Sequence, residues 1–156
     1  EGTFNFTARQ NILPINSVFS DNLQIYGSDI NKENIHLTSE NAKNLGLKTI
    51  ADFTNTEESS AIHLAVKDFF RTDRKQISAN GKLLLMFNPP YGKRLKIDKK
   101  AFFAQIGKHL KLHYTGCDTL VIVPDEEAEK AMNIYYEKKW IFKNGGLQVA
   151  ALFFHL

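Results

Sequence analysis

The chain contains a single cysteine, Cys117, among 156 residues. One thiol excludes an internal disulfide framework and suits a reducing cytoplasm. No apolar run approaches the roughly 20 residues of a membrane-spanning helix, and no signal-peptide pattern is visible. Five histidines (His36, His63, His109, His113 and His155) share no metal-ligand spacing with each other or with Cys117. Neither a metal site nor a nucleophile–base–acid triad is therefore expected. None of the nine glycines forms a Gly-x-Gly, so no turn of that kind lets a ligand approach the backbone closely. Internal repeats and low-complexity tracts are absent as well. The net charge of +3 is too mild to demand a nucleic-acid partner but is compatible with one. With 43% apolar and 24% charged residues, the chain has the balance of one ordinary globular domain.

Prolines are scarce too, four in all, yet two of them are adjacent in the most informative stretch. It runs Leu83-Leu84-Leu85-Met86-Phe87-Asn88-Pro89-Pro90-Tyr91-Gly92. Five large apolar residues in a row predict a strand buried on both faces, central in a parallel sheet covered by helices. Proline cannot donate to a sheet ladder, so the strand must stop by Pro89. Each proline also drives its predecessor out of the helical region. The outcome is a stiff loop carrying one amide and one aromatic ring at the carboxyl end of a strand. Ligands bind there in open α/β sheets.

Ahead of this stretch, residues 1–22 are weakly patterned and are left as an irregular segment. Leu23 to Tyr26 alternates, then meets Gly27-Ser28-Asp29-Ile30, which predicts a strand ending in an acid. A helix follows, with Ile35, Ala42 and Leu45 at helical offsets and Gly46 at its C-terminal cap. Residues 47–60 are polar, a loop or short helix. Ile62, Leu64 and Val66 alternate with His63 and Ala65, predicting a half-buried strand that ends at Lys67-Asp68-Phe69-Phe70. Residues 71–81 connect it to the apolar strand.

Beyond the prolines, Phe102, Phe103, Ile106 and Leu110 form one helical stripe, and Thr119 to Val123 is a buried strand. Asp125 caps a further helix bearing Ala128, Ala131, Met132 and Tyr135. The segments flanking Lys143-Asn144-Gly145-Gly146 form an antiparallel hairpin. Alternating strands and helices with a terminal hairpin make an α/β domain with a mainly parallel sheet.

A buried strand followed by Asn88-Pro89-Pro90-Tyr91 resembles the catalytic loop of amino-group methyltransferases that use S-adenosylmethionine. Gly27-Ser28-Asp29-Ile30, ahead of a helix carrying Glu40-Asn41-Ala42, resembles their ribose-binding segment. Gly116-Cys117-Asp118 and Trp140 to Leu147 extend the likeness to one family. It is that of the bacterial 23S ribosomal-RNA guanine-N2 methyltransferases, relatives of the THUMP-containing RNA methylases. The likeness runs from about Gln24 to the C-terminus.

The resemblance implies a Rossmann-like class I methyltransferase sheet and a cytoplasmic enzyme that methylates the exocyclic amine of an RNA base. Guanine N2 of ribosomal RNA is the expected target. Alternatives are adenine N6 of DNA or RNA, and a non-catalytic RNA-binding fragment. Asn88, Pro89, Pro90 and Tyr91 would be catalytic, with Asn88 also beside the cofactor. Asp29 and Ile30 would hold the ribose, although an isolated Asp29 also suits a helix cap. Asp68 and Phe69 would take the adenine, or else be a strand-end acid beside core phenylalanines. Lys93, Arg94 and Lys96 would hold RNA phosphates, or else form a solvated face.

The family's glycine-rich cofactor loop, which follows its first strand, is not found here, and neither is a THUMP domain. Residues 1–156 are thus expected to be the incomplete, C-terminal portion of one catalytic domain. The second and fourth strands of the family's sheet would then lack their shared neighbour. On this reading the 156-residue chain alone binds S-adenosylmethionine weakly or not at all. Calorimetric titration of the purified chain checks this, and tight stoichiometric binding would mean that residues 1–22 had been misread.

Overall fold

The computed structural model describes residues 24–51, 61–77, 81–91 and 98–156. They fall into two compact units that divide between Val66 and Lys67. The first unit holds strand β1 (Ile25–Asp29), helix α1 (Lys32–Asn44), β2 (Lys48–Ile50) and β3 (Ala61–Val66). The second holds β4 (Leu84–Phe87), α2 (Lys99–His113), β5 (Asp118–Val123), α3 (Glu126–Met132), β6 (Lys138–Asn144) and β7 (Leu147–His155). Two short 3-10 turns, Phe69–Arg71 and Arg74–Gln76, precede β4.

In the first unit three parallel strands lie in the order β1-β3-β2. Asn31 starts α1, its side chain accepting the Glu33 N–H at 2.9 Å. The helix stops at Leu45, which is 63% exposed, and buries Ala42. The polar stretch expected to be a loop or short helix contains β2 instead. Three residues, Lys48 to Ile50, are too few to reveal a period, and pairing with β3 makes them a strand.

The half-buried alternation expected of β3 is not observed. His63 is fully buried and stacks on Tyr26 at 4.9 Å, whereas Val66 is 50% exposed. As the middle strand, β3 buries neighbouring residues on opposite faces, His63 and Leu64, and its carboxyl end runs out into solvent.

In the second unit the order is β4-β5-β7-β6. β4 pairs in parallel with β5 from Leu84↔Asp118 to Phe87↔Val121, and α2 makes the crossover between them. β5–β7 and β6–β7 are antiparallel, the latter closed by Gly145 and Gly146 at φ 57° and 84°. Two successive residues with positive φ match the twist of a tight hairpin, and glycine adopts them without strain. Phe103, Ile106 and Leu110 of α2 meet Val121, Leu152 and Phe154 in a core that excludes solvent.

β4 departs from expectation. It ends its sheet, and Leu84 and Met86 are 53% and 61% exposed while Leu85 and Phe87 face the core. A uniformly apolar string does not say which of its faces is covered. β1 likewise ends the first unit's sheet, so β1 and β4 each pair on one side only among the described residues.

Helix α3 begins where expected, Asp125 Oδ1 accepting the Ala128 N–H at 3.0 Å. It ends at Met132, because Asn133 turns left-handed at φ 49°. Tyr135, expected on the helical stripe, lies beyond it and is 88% exposed. α2 and α3 touch backbone to side where Gly107 has no Cβ. A Cβ there would stand 2.7 Å from the Met132 carbonyl carbon. Gly107→Ala improves helix propensity by roughly 1 kcal/mol. It nevertheless forces two backbones apart, and a net loss of about 1–3 kcal/mol is expected. Urea denaturation measures it; an unchanged or higher midpoint would contradict the packing.

A buried polar chain ties the segment before β4 to α2. His109 Nε2 lies 2.9 Å from the Thr72 carbonyl, which only accepts, so this nitrogen carries the hydrogen. Thr72 Oγ1 lies 2.9 Å from the Tyr114 hydroxyl. Burial pushes His109 below the ordinary histidine value; the Thr72 carbonyl and Asp68 oppose that shift, and neighbouring His113 reinforces it.

A histidine with a depressed folded pKa binds its proton more readily when unfolded. Its stabilising contribution is therefore complete above the unfolded value, about 6.5, and declines as pH falls through that value. Denaturation midpoints at about pH 7.5 and about pH 5.5 should drop more in the wild type than in His109→Gln. Equal drops would show that His109 is not the group responsible.

Candidate functional site

The candidate site in the second unit grows from the carboxyl end of β4. Phe87↔Val121 is the last ladder pair, and Pro89 two residues on has no N–H to extend it. Asn88 is exposed, Pro89 is buried and Pro90 is exposed, so the amide stands in solvent on an anchored proline. Tyr91 is half-buried, and its hydroxyl accepts a hydrogen bond from Asn144 Nδ2 at 2.9 Å. Asn144 is the last residue of β6. The sequence showed it only as part of a hairpin turn, and nothing local marks a partner 53 positions away.

The Asp68 turn reaches the same end of β4. The Phe69 ring lies 5.0 Å from Phe87, the residue before Asn88, and this contact brings Asp68-Phe69 beside the proline loop. Phe69 also meets His109 edge-on at 4.8 Å and stacks on Tyr114 at 6.0 Å. Those contacts pack the half-buried Phe69 ring against the core. Asp68 is the turn's polar offering. Its Oδ1 accepts the Phe70 N–H at 3.0 Å, and its Oδ2 lies 3.8 Å from Arg71 Nε.

Asp29 and Ile30 belong to the first unit. Asp29 ends β1, and Ile30, 72% exposed, follows it. The cap of α1 is Asn31, not Asp29. The Asp29 carboxylate instead accepts the Asn31 N–H on Oδ1 at 2.7 Å and the Asn34 amide on Oδ2 at 3.0 Å. Two fixed donors orient the group and leave each oxygen a further lone pair.

Lys93, Arg94 and Lys96 lie outside the described residues, as does the irregular segment 1–22. The chain re-enters the described structure at Asp98, whose Oδ1 accepts the Ala101 N–H at 2.6 Å and starts α2. Lys99 then reaches Asp125 Oδ2 at 2.6 Å and Glu127 Oε2 at 2.7 Å, joining the starts of α2 and α3. Its hydrogen bonds, first to Asp125 and then to Glu127, raise the ammonium pKa. Of these contacts, the one that reaches the proline loop itself is the Asn144 bond to Tyr91.

This arrangement can be set beside known proteins. The ribosomal RNA large subunit methyltransferase K/L of Shewanella woodyi is 29% identical over 129 residues, covering 81% of this chain and 16% of that protein. The chain therefore spans about a sixth of the length of the curated relatives it matches. Two solved structures share the fold. SMU.472, a candidate methyltransferase complexed with SAH, has a TM-score of 0.64 and 22% identity, covering 86% of this chain and 32% of that one. A methylase candidate from Clostridium difficile 630 has a TM-score of 0.62 and 24% identity, covering 85% and 31%.

The α/β architecture with its parallel strands and terminal hairpin is therefore Rossmann-like. A family model for the RMKL-like methyltransferase domain matches residues 4–150, starting ahead of Gln24, where the motif likeness begins. The match takes in nearly the whole chain, and the chain belongs to the RMKL-like methyltransferase domain family.

Proposed function

We propose that this chain is the part of an S-adenosylmethionine-dependent RNA methyltransferase that presents the target amine, with guanine N2 of ribosomal RNA as the substrate. The observation that carries the reading is the exposed Asn88 amide, set by a buried Pro89 at the end of β4. Two donors on an exocyclic amine need two acceptors, and the Asn88 side-chain oxygen and the Pro89 carbonyl supply them.

The amine of guanine or adenine is a poor nucleophile because its lone pair is delocalised into the ring. Acceptors on both N–H bonds draw the nitrogen towards a tetrahedral shape and localise that pair. They also lie where positive charge develops during attack. Tyr91 stacks on the target base, which is splayed out of its helix to reach the loop. The proton leaves after transfer, so no general base is required.

Each unit by itself offers an oriented acceptor of the kind a nucleoside cofactor needs. Asp29, oriented by Asn31 and Asn34, suits a ribose diol, and Asp68, oriented by Phe70, suits the adenine amine. S-adenosylmethionine, when bound, supplies an activated methyl, which leaves positioning as the protein's task. Phe69 contributes by locking the Asp68 turn onto Phe87. Lys93, Arg94 and Lys96 hold RNA phosphates, a contact that positions without reading sequence. The rest of the cofactor site and further RNA contacts come from sequence beyond this chain. Such an enzyme works in the cytoplasm, where ribosomal RNA is made available to it.

Two substitutions in the natural full-length protein separate the roles. Asn88→Ala is expected to lower turnover roughly a hundredfold or more while S-adenosylhomocysteine affinity stays near wild type. Asp29→Ala is expected to weaken that affinity about tenfold with the fold intact. Single-turnover methylation and calorimetric titration read the two effects. Wild-type turnover in Asn88→Ala would remove the loop from the chemistry, and unchanged affinity in Asp29→Ala would return that residue to a purely structural role.

A further inference from the structure

We infer that Asn144, on the β6–β7 hairpin, is a positioning residue that sets the plane of the Tyr91 ring and so aligns the target base for methyl transfer. The inference rests on the base-stacking role proposed above for Tyr91. The two prolines restrict the backbone as far as Pro90, but they leave the side-chain torsions of Tyr91 free. What holds the far end of its ring is the 2.9 Å hydrogen bond from Asn144 Nδ2.

The donor is itself fixed. Asn144↔Leu147 is the closing pair of the hairpin, and the two-glycine turn beyond it has φ values of 57° and 84°. Asn144 is half-buried, while Lys143 before it and Gly145 after it are exposed. Its amide is turned inward, to the loop. A stacking platform pinned at its hydroxyl cannot tilt without breaking that bond, and small tilts matter because in-line transfer requires a narrow range of approach. Because the amide donates, the Tyr91 hydroxyl keeps its own hydrogen for another acceptor.

The test is a double-mutant cycle in the natural full-length protein acting on its RNA. Tyr91→Phe keeps the stacking face and removes the anchored hydroxyl, and Asn144→Ala removes the anchor. Each is expected to lower kcat roughly three- to tenfold, the loss of one hydrogen bond. The double variant should be no slower than either single one, since all three lack the same contact. KM for RNA and affinity for S-adenosylhomocysteine should stay within about twofold of wild type. Asn144→Asp, which accepts from the tyrosine hydroxyl instead, should recover most of the rate.

Wild-type kcat in Asn144→Ala, or losses that multiply in the double variant, would overturn the inference. A general structural role for the hairpin would produce the second pattern. Tyr91→Ala separates this failure from that of the underlying reading. If Tyr91→Ala is as fast as wild type, the stacking role itself falls. If it is slow while the cycle is additive, only the positioning role falls. Should Asn144→Ala fail to fold, Tyr91→Phe compared with Asn144→Asp still decides the matter, because a normal rate in Tyr91→Phe contradicts the inference alone.

Discussion

The structure around the candidate site depends on the missing N–H of Pro89. A strand as apolar as Leu83 to Phe87 would continue its ladder with β5 if it could. The register instead ends at Phe87↔Val121, and the chain leaves the sheet with the Asn88 side chain in solvent. Burial of Pro89 keeps that exit in place. Two distant segments converge on the same point through side chains. Phe69 brings in the Asp68 turn by packing on Phe87, and Asn144 brings in the hairpin by its bond to Tyr91.

The platform beneath that exit is held largely by packing. Phe69, Phe70, Phe87, His109 and Tyr114 form edge-to-face and stacked contacts between the Asp68 turn, β4 and α2. Such aromatic pairs add about 0.5–1.5 kcal/mol each beyond the area they bury. Gly107 lets α3 lie close against α2, so both helices cover β5 and β7 at once. The Lys99 ion pairs, partly exposed to solvent, contribute geometry more than stability. They tie the start of α2, capped by Asp98, to the start of α3.

The fold's elements were legible where one period dominated. α1, α2, β5 and the hairpin lie where the apolar spacing places them, and Asp125 caps α3 as its position before an apolar stripe suggests. Features decided by distant contacts were not legible. β2 exists because β3 lies beside it, and Tyr135 leaves the helix because Asn133 can turn left-handed. The exposed face of β4 is invisible in five apolar letters. Among the candidate site residues, Asn88, Tyr91, Asp29 and Asp68 were marked by motif and by their places at strand ends. Asn144 was not, because its partner is far along the chain and a glycine turn explains an asparagine equally well. The ring contacts of Phe69 with Phe87 and Tyr114 were equally out of reach, since they join distant parts of the chain.

The central claim is that the Asn88–Tyr91 loop serves methylation of a base amine in ribosomal RNA. Nucleoside mass spectrometry of 23S ribosomal RNA, from cells with and without this protein, tests it most directly. The account predicts that N2-methylguanosine falls in its absence. The wild-type gene should restore it, and a gene encoding Asn88→Ala should not. A change in N6-methyladenosine instead would move the substrate to adenine, and no change in either nucleoside would contradict the claim.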